Sequence, residues 1–304
     1  MNIEQLNQLI IKNSQNLDQE YKRLFHGRGA LYERWKFLTI DSIDNILSVA
    51  FYFECEEKIQ IQLLDMLKEF IKTSQHDTII LQKRYIPKTT TEVIEGKLLD
   101  ENIAIENKIK FKLNLHTNQN SGYFPDMKNG RVYIKSIAKD KKVLNLFSYT
   151  CGFSLASILG GAKSVINMDM SKGALNTGRI NHQLNNIDTK KVKFYSHNIL
   201  KSFSKIKKES PFDIIIIDPP TFQKGSFDVL KDYEKIVKRL DGITNDKAIV
   251  LSCLNSPHLD ESFIFDIFKK FASNFKFIKK LDNLEEFKAI DESRSLKNIV
   301  FQKT

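Results

Sequence analysis

The 304-residue sequence predicts an α/β protein, in which a Rossmann-like, largely parallel sheet follows a smaller α+β domain. From residue 142 onward, short apolar segments alternate with amphipathic segments of helical period, as in doubly wound sheets. Short β-like segments of uneven spacing precede this part of the chain. We therefore assign residues 1–117 to an N-terminal α+β domain for substrate recognition and residues 118–304 to the Rossmann-like domain.

In the N-terminal domain, apolar spacing predicts one long helix that ends at the glycine-bearing stretch His26-Gly27-Arg28-Gly29. Short β-like segments on either side of a second helical segment predict a small sheet. The predicted helices are Ile3 to Phe25 and Ile59 to Ser74, and the predicted strands lie between Leu38 and Phe53, at Ile79 to Leu81, at Val93 to Ile94 and as a pair between Ile103 and Leu115.

In the second domain, strands and helices are predicted in alternation, and the last two strands form a reversed hairpin at the sheet edge. The predicted strands are Lys142 to Phe147, Ser164 to Met168, Val192 to Tyr195, Ile214 to Ile217, Ala248 to Ser252, Phe277 to Leu281 and Asn298 to Phe301. The predicted helices are Ser154 to Leu159, Ser171 to Asn185, Asp228 to Leu240 and Phe263 to Phe271.

The formal net charge of +10 favours a polyanionic partner such as nucleic acid, although an AT-rich genome also produces lysine-rich chains. Basic and aromatic residues are interleaved in the N-terminal domain, which favours RNA over a metabolite, and ordinary solvated surface charge is the alternative. These residues are Lys22, Arg23, Arg28, Arg34, Lys36, Lys83 and Arg84, with Tyr21, Phe25, Tyr32, Trp35 and Tyr85.

Composition also limits the setting in which the protein works. The three cysteines, Cys55, Cys151 and Cys253, are too few and too scattered for a disulfide framework or a zinc site. The sequence shows no signal peptide and no apolar run long enough to span a membrane. We expect a cytoplasmic protein without a metal and without membrane attachment, and a homodimer is left open.

The first predicted strand of the second domain leads into a loop with the composition of a ligand site. Phe147, Ser148, Tyr149, Thr150 and Gly152 follow the strand, at the carboxyl edge where α/β folds bind ligands. Gly152 allows a close approach of the backbone to a ligand. The loop lacks the GxGxxG pattern, which weighs against a dinucleotide. A plain strand-to-helix connection is the alternative.

Two polar residues that follow the next strands fit a nucleoside cofactor. Asp169 comes about twenty residues after the first loop, the spacing at which a carboxylate binds the ribose hydroxyls in Rossmann folds. Its alternative role is to cap the next helix. Asn198 follows the third strand, and we expect its amide to bond the exocyclic amine of adenine.

The loop Asp218-Pro219-Pro220-Thr221-Phe222 is the most specific signal in the sequence, because it follows the apolar fourth strand to the same edge. Prolines fix φ and remove donors, so the neighbouring carbonyls are rigidly aimed. Phe222 offers a stacking face to a base held outside its helix or loop. A proline-stiffened loop without a catalytic role is the alternative.

Cys253, just past the fifth predicted strand, is a candidate nucleophile. A thiolate there could add to C6 of a pyrimidine and so activate C5. The alternative, which we favour, is a buried packing residue, since free cysteine behaves as a small hydrophobe. Cys151 and Cys55 are weaker candidates.

Four ordered motifs carry a family resemblance over about Asn118 to the end of the chain. Ser121-Gly122-Tyr123-Phe124-Pro125-Asp126, Leu144 to Thr150, Asp169-Met170-Ser171 and Asp218 to Phe222 together resemble the bacterial 23S rRNA methyltransferases of the RlmI and RlmK kind. The N-terminal domain does not resemble the PUA domain of the cytosine-modifying members. Its His26 to Gly29 stretch resembles a less characterised subgroup.

The resemblance implies a class I methyltransferase fold that binds S-adenosylmethionine. It implies contacts from the loop Phe147 to Gly152, from Asp169 with Met170 and Ser171, from Asn198 and Asp218, and from a covering segment with Phe124 and Arg131. The implied partner is RNA, in particular 23S rRNA, modified at guanine N7 or cytosine C5. Asp218, Pro219, Pro220 and Phe222 would position the base, and Cys253 would be needed only for cytosine.

Two other functions stay open at this point. A methyltransferase could act on a protein or a small molecule, and a cofactor-binding but inactive RNA-binding module is the third possibility. The shaped loop at Asp218 to Phe222 argues against the inactive module, which does not need that geometry.

Overall fold

The computed structural model describes residues 1–15, 17–88, 90–116 and 120–304. The chain forms two compact units: an N-terminal unit of residues 1–125 and 284–292, and a C-terminal unit of residues 126–283 and 293–304. The residues on either side of the expected boundary, 117 and 118, lie outside the described residues. The segment 284–292 joins the N-terminal unit although it lies between the last two strands, which a linear reading of the sequence did not predict.

The N-terminal unit contains a five-stranded sheet and a separate hairpin. The sheet order is β1-β2-β3-β4-β5, in which only β3 and β4 are parallel. The elements in chain order are α1 (Ile3–Asn13), β1 (Lys22–His26), β2 (Leu38–Ile43), β3 (Ile46–Phe51), α2 (Glu57–Ile71), β4 (Thr78–Lys83), β5 (Thr91–Glu95), β6 (Asn102–Glu106) and β7 (Ile109–Leu113). The hairpin is formed by β6 and β7.

Local sequence explains where α1 begins and which face it buries. The side chain of Asn2 accepts from the Gln5 N–H, and the Gln5 side chain accepts from the Asn2 N–H, so the pair forms a capping box. Leu6 and Ile10, one turn apart, are fully buried and belong to the core of this unit.

The predicted helix from Ile3 to Phe25 is wrong in its second half, because Lys22–His26 is the strand β1. A register shift between Arg23 and Phe25 in its pairing with β2 buries Leu24 and Phe25 in succession. This bulge breaks the alternation that identifies a strand, so the segment resembles a continuation of the apolar helix spacing.

The C-terminal unit alternates strands and helices as the sequence predicts. Its elements are α3 (Lys128–Ile137), β8 (Lys142–Leu146), α4 (Gly152–Leu159), β9 (Ser164–Asp169), α5 (Lys172–Leu184), β10 (Val192–Ser196), α6 (Phe203–Glu209), β11 (Phe212–Ile217), β12 (Phe222–Gln223), β13 (Phe227–Asp228), α7 (Val229–Val237), β14 (Thr244–Leu254), α8 (Ser262–Phe271), β15 (Phe275–Leu281) and β16 (Lys297–Lys303). The sequence did not predict α3, α6 or the short hairpin β12–β13.

The large sheet has the order β10-β9-β8-β11-β14-β16-β15. The first five strands in this order, β10, β9, β8, β11 and β14, are parallel to one another, whereas β16 is antiparallel to both β14 and β15. The predicted reversed strand pair at the edge is therefore present. Apolar side chains from both faces of the sheet pack under helices, in two clusters that share no residue. The α/β, Rossmann-like fold that the sequence predicts is confirmed.

Candidate active site

The strand order of the large sheet locates a ligand-binding edge. From β8 the chain proceeds through β9 to β10 in one direction, and from β11 to β14 in the other. The loops that follow β8 and β11 therefore flank the point where the strand order reverses, which is where open α/β sheets bind ligands. The two loops carry the residues predicted for the cofactor and for the substrate. The ring of Phe147, after β8, also packs 4.8 Å from that of Phe227 in β13.

The loop after β8 has a strained backbone. Phe147, Tyr149 and Cys151 have φ values of 56°, 45° and 65°, in the left-handed region. Such a conformation costs a non-glycine residue roughly 1–2 kcal/mol, so surrounding structure must hold the loop. Gly152, which the sequence suggested as the point of close approach, instead begins α4. The N-cap residue of α4, Cys151, makes no side-chain cap hydrogen bond. Backbone N–H groups at the start of this helix are therefore left for a ligand.

Three contacts from neighbouring elements hold this loop. The Ser148 N–H donates to the Met168 carbonyl (3.2 Å) and the Tyr149 N–H donates to Oδ2 of Asp169 (2.9 Å). From α5, Nδ2 of Asn181 donates to the Thr150 carbonyl (3.0 Å). The loop geometry therefore depends on β9 and α5 as well as on its own sequence.

A chain of buried polar side chains lies behind the loop. Nδ2 of Asn145 donates to Oδ1 of Asn167 (2.9 Å), and Nδ2 of Asn167 donates to Oγ of Ser154 (3.0 Å). Oγ of Ser154 lies 3.0 Å from Nε2 of His182, whose Nδ1 lies 2.7 Å from the Gly178 carbonyl. These side chains link β8, β9, α4 and α5 inside the core, where hydrogen bonds must be satisfied.

The direction of this chain follows from its last member. A carbonyl only accepts, so Nδ1 of His182 carries the proton and Nε2 accepts from the Ser154 hydroxyl. Burial lowers the pKa of His182, which keeps the imidazole neutral and fits this tautomer. At the other end, Oδ1 of Asn145 is buried and has no hydrogen-bond partner in the part of the chain that the structure describes.

Asp169, at the end of β9, presents a carboxylate held by two backbone donors. Oδ1 accepts from the Ser171 N–H (2.8 Å) and Oδ2 accepts from the Tyr149 N–H (2.9 Å). Burial raises the pKa of Asp169, whereas these two hydrogen bonds lower it. The alternative of a helix cap is wrong, because Ser171 caps α5 by accepting from the Ala174 N–H. Met170, between them, is exposed, and its carbonyl accepts from Ser196.

Asn198 follows β10 and has one side-chain group left for a ligand. Its Oδ1 accepts from the Lys201 N–H (3.1 Å), which identifies the oxygen of the amide. Its Nδ2 has no acceptor within the described part of the chain. The unused donor matches the acceptor N1 of an adenine ring better than the exocyclic amine that the sequence suggested.

Asp218 follows β11 at the centre of the edge. The pKa of its carboxyl group is raised to about 7, because burial and, to a smaller extent, the negative charge of Asp126 raise it more than the guanidinium of Arg131 lowers it. Arg131 lies in α3 and is only 4% exposed. A carboxyl group whose pKa is near neutral, and which is influenced by charges of both signs, is typical of a functional site.

The rest of the loop after β11 is bonded through Thr221 to the loop that follows β14, and its tip is open. Oγ1 of Thr221 donates to the Asn255 carbonyl (2.9 Å), and Nζ of the fully buried Lys297 donates to the Ser256 carbonyl (2.9 Å). Phe222, on the short strand β12, is 67% exposed and free to stack on a base.

Cys253 lies inside β14, not past its end, and its side chain is fully buried in an apolar cluster with Met127 and Ile134. Burial raises the pKa of the thiol well above its usual value, and the charges of Asp218 and Asp126 raise it further. The thiolate that a nucleophile requires is therefore disfavoured, and these observations support the packing interpretation.

The covering segment proposed from the resemblance is divided between the two units. Phe124 belongs to the N-terminal unit, with its side chain 39% exposed, and Arg131 belongs to the C-terminal unit. Their contact with a cofactor stays a prediction.

Sequence reasoning missed several site residues. Asn145 and Asn167 each interrupt the buried apolar run of a strand, and β8–β9 pairing places them opposite each other, so a polar residue within such a run was the available signal. Asp126 belongs to the Ser121 to Asp126 motif, but the sequence assigned it no role in the site. Nothing in the sequence indicated that Asn181 and Lys297 bind loop carbonyls.

Two features are absent from the described ranges. No group of three or more histidine, cysteine, aspartate or glutamate side chains there could hold a metal ion. No helix in those ranges has the length and apolar character needed to cross a bilayer.

The fold defines a Rossmann-like α/β protein whose candidate loops flank the strand-order reversal. Residues 22–302 match the family described as S-adenosylmethionine-dependent methyltransferase. The chain belongs to this family, which confirms the predicted cofactor and the predicted class of enzyme at the family level.

Individual relatives agree with this assignment. The chain is 32% identical over 200 residues to ribosomal RNA large subunit methyltransferase I of Aeromonas salmonicida (strain A449), a match that covers 64% of this chain and 50% of the relative. It is 30% identical over 298 residues to YwbD of Bacillus subtilis (strain 168), a candidate ribosomal RNA large subunit methyltransferase, covering 92% and 74%. The chain thus spans about half the length of the Aeromonas relative.

A solved structure shares the fold over nearly the whole chain. SMU.776, a candidate methyltransferase crystallised with SAH, superposes with a TM-score of 0.88 at 22% identity, over 99% of this chain and 82% of that one.

Proposed function

We propose that this chain transfers the methyl group of S-adenosylmethionine to a guanine nitrogen of large-subunit ribosomal RNA. The RNA substrate is supported by the names of the two relatives and by the net charge of +10. The observation that carries the choice of base is the composition of the loop after β11, which offers acceptors and an exposed ring. Because ribosomal RNA is the substrate, we place the enzyme in the cytoplasm.

The polar groups of this loop complement guanine. The carbonyls of Pro219 and Pro220 accept no hydrogen bond from a described residue, proline has no N–H to donate, and ionised Asp218 is acceptor-only. Guanine has donors, N1–H and N2–H₂, on its Watson–Crick edge, whereas cytosine has only one donor group there. Phe222 supplies the stacking face for the extruded base.

The candidate cofactor residues fit S-adenosylmethionine. Asp169 keeps unused lone pairs for the two ribose hydroxyls, Asn198 keeps a donor for the adenine ring, and the start of α4 has N–H groups for the cofactor carboxylate. Bound S-adenosylmethionine supplies an electrophilic methyl group on a sulfonium. The protein would orient the base so that the free lone pair of guanine N7 attacks in line and S-adenosylhomocysteine leaves, and it would exclude water; no proton has to be removed and no nucleophilic residue is required.

The raised pKa of the buried Cys253 thiol argues against the cytosine C5 route, which needs a thiolate to attack first. Under the nitrogen route, Cys253 is a packing residue of the apolar cluster that also contains Ile134 of α3, and it takes no part in bond making.

Mass spectrometry of nucleosides from the ribosomal RNA of a deletion strain and its parent tests this proposal. One methylated guanosine is expected to be missing in the deletion strain, and a Cys253→Ala gene is expected to restore it. Loss of a methylated cytidine that Cys253→Ala fails to restore, with equal protein levels, would establish the C5 route instead. An unchanged set of nucleosides would reject RNA in favour of a protein or small-molecule acceptor.

A further inference from the structure

Two arginines of the N-terminal unit converge on one tyrosine. Strands β3 and β4 are parallel and pair Phe51 with Lys83, so Tyr52 and Arg84 leave the sheet side by side. Nη1 of Arg84 donates to the Tyr52 hydroxyl (3.0 Å), and its guanidinium carbon lies 5.4 Å from the ring centre. The guanidinium of Arg28, from the His26 to Gly29 stretch, lies 4.2 Å from the same ring centre.

Neither guanidinium has a carboxylate partner in the part of the chain that the structure describes. Other cations of this sheet do have one, since Arg23 pairs with Asp41 and Lys83 pairs with Glu92. Nε of Arg84 is buried and has no acceptor among the described residues. Two like charges beside one ring, one of them with an unsatisfied buried donor, are stabilised when an anion binds to them.

The chemistry of the cluster selects a phosphate ligand. The planar guanidinium donates two parallel hydrogen bonds to phosphate oxygens, and an aromatic ring beneath it fixes its plane. Phe53, which follows Tyr52 in the chain, is 63% exposed and offers a face on which a neighbouring base can stack. Adjacent phosphate and stacking groups are typical of proteins that bind single-stranded RNA.

We propose that Arg28, Tyr52 and Arg84 form a binding site for a phosphodiester group of the RNA substrate. This inference rests on the proposed function, because it takes its ligand from the same RNA. It gives a role to the glycine-bearing stretch of the sequence, and it corrects the expected set of RNA-binding residues. Arg23, Phe25 and Trp35 of that set are buried.

The full-length Arg28→Gln and Arg84→Gln variants test the site with a fluorescently labelled short single-stranded RNA. Each lost phosphate contact should reduce the slope of log affinity against log salt by about 0.7. Arg239→Gln is the matched control, because Arg239 is an exposed arginine stacked 4.3 Å over a single ring, that of Phe203. Its slope should equal that of the wild type. An unchanged melting temperature of the N-terminal unit, to which both arginines belong, verifies that each variant is folded.

Slopes of Arg28→Gln and Arg84→Gln equal to that of Arg239→Gln would overturn the site, as would a wild-type protein that does not bind the RNA. Failure of the proposed function gives a different result. A wild-type protein that binds RNA through these arginines, yet methylates no ribosomal RNA from the deletion strain, retains the phosphate site and rejects the methylation proposal.

Discussion

At the residue scale, Asp169 links the cofactor loop to the expected ribose site. Substitution by alanine removes the acceptor of the Tyr149 and Ser171 N–H groups and the ligand of the hydroxyls. We expect Asp169→Ala to weaken S-adenosylhomocysteine binding at least about tenfold by calorimetry, which corresponds to about 1.4 kcal/mol. Asp188→Ala is the matched control, since exposed Asp188 accepts from the Lys190 N–H in a similar turn. Its affinity should equal that of the wild type.

A 2′-deoxy analogue of S-adenosylhomocysteine separates ribose binding from loop support. The wild type should bind the analogue more weakly than the parent compound, whereas Asp169→Ala should bind the two equally, as in a double-mutant cycle. Equal discrimination by both proteins would assign Asp169 to loop support alone.

Asp218 makes stability depend on pH. Its pKa rises from 3.8 in the unfolded chain to about 7 in the folded protein, chiefly through burial. Because the folded protein favours the protonated carboxyl group, the contribution of Asp218 to stability is fully present below the pKa of the unfolded chain. This contribution is lost as the pH rises toward 7. Asp218→Asn should therefore have a higher melting temperature than the wild type at pH 8. The corresponding gain in the free energy of unfolding is at most about 4 kcal/mol. The difference should vanish near pH 4.

The neighbouring charge provides the control for this pH dependence. Asp126 raises the pKa of Asp218, so Asp126→Asn should move the pH midpoint of the stability loss downward. A midpoint that stays in place in Asp126→Asn would show that Asp126 does not act on Asp218.

At the element scale, β8, β9, α4 and α5 are joined by the buried polar chain. Asn167 is bonded at both ends of its amide, whereas Asn145 has one buried oxygen without a partner among the described residues. Asn167→Leu leaves the Asn145 amide and the Ser154 hydroxyl without this partner, and should lower the free energy of unfolding by about 1–3 kcal/mol for each. Asn145→Leu should lower it less. Urea denaturation of the two variants measures the difference.

The double variant tests whether the chain acts as a unit. Asn145→Leu/Asn167→Leu removes the orphaned amide of Asn145, so its destabilisation should be smaller than the sum of the two single values. Strict additivity would mean that the 2.9 Å hydrogen bond between the two side chains contributes nothing.

The elements also show what sequence can predict. Regular alternation of apolar segments was enough to predict the large sheet and its reversed last pair, because burial determines that pattern. The apolar pattern led to a wrong prediction at β1, where a bulge buries two successive apolar residues, and it did not predict α3. Asp169 was predicted from its position at a strand end, about twenty residues after the first loop. The partners of Asn181 and Lys297 are distant in sequence, so only the folded chain reveals them.

At the scale of the whole molecule, the two units have separate cores. The N-terminal core consists of residues up to Leu81, and the clusters of the C-terminal unit begin at Met127. The segment 284–292 completes the N-terminal unit: Phe287 packs against Arg23 and His26, and the Ile290 N–H donates to the Gly29 carbonyl (2.8 Å). The last strand of the large sheet is therefore joined covalently to an element of the other unit.

Separate cores predict two unfolding transitions in calorimetry. S-adenosylhomocysteine at about 100 times its Kd should stabilise the C-terminal transition by about 2.7 kcal/mol and leave the other in place. Gly29→Ala should lower only the N-terminal transition, because its new Cβ would lie 2.0 Å from the Lys288 carbonyl oxygen. Gly242→Ala, with nothing within 4 Å, is the control and should shift neither. If Gly29→Ala and the ligand both move one shared transition, the units unfold together and the segment 284–292 couples them.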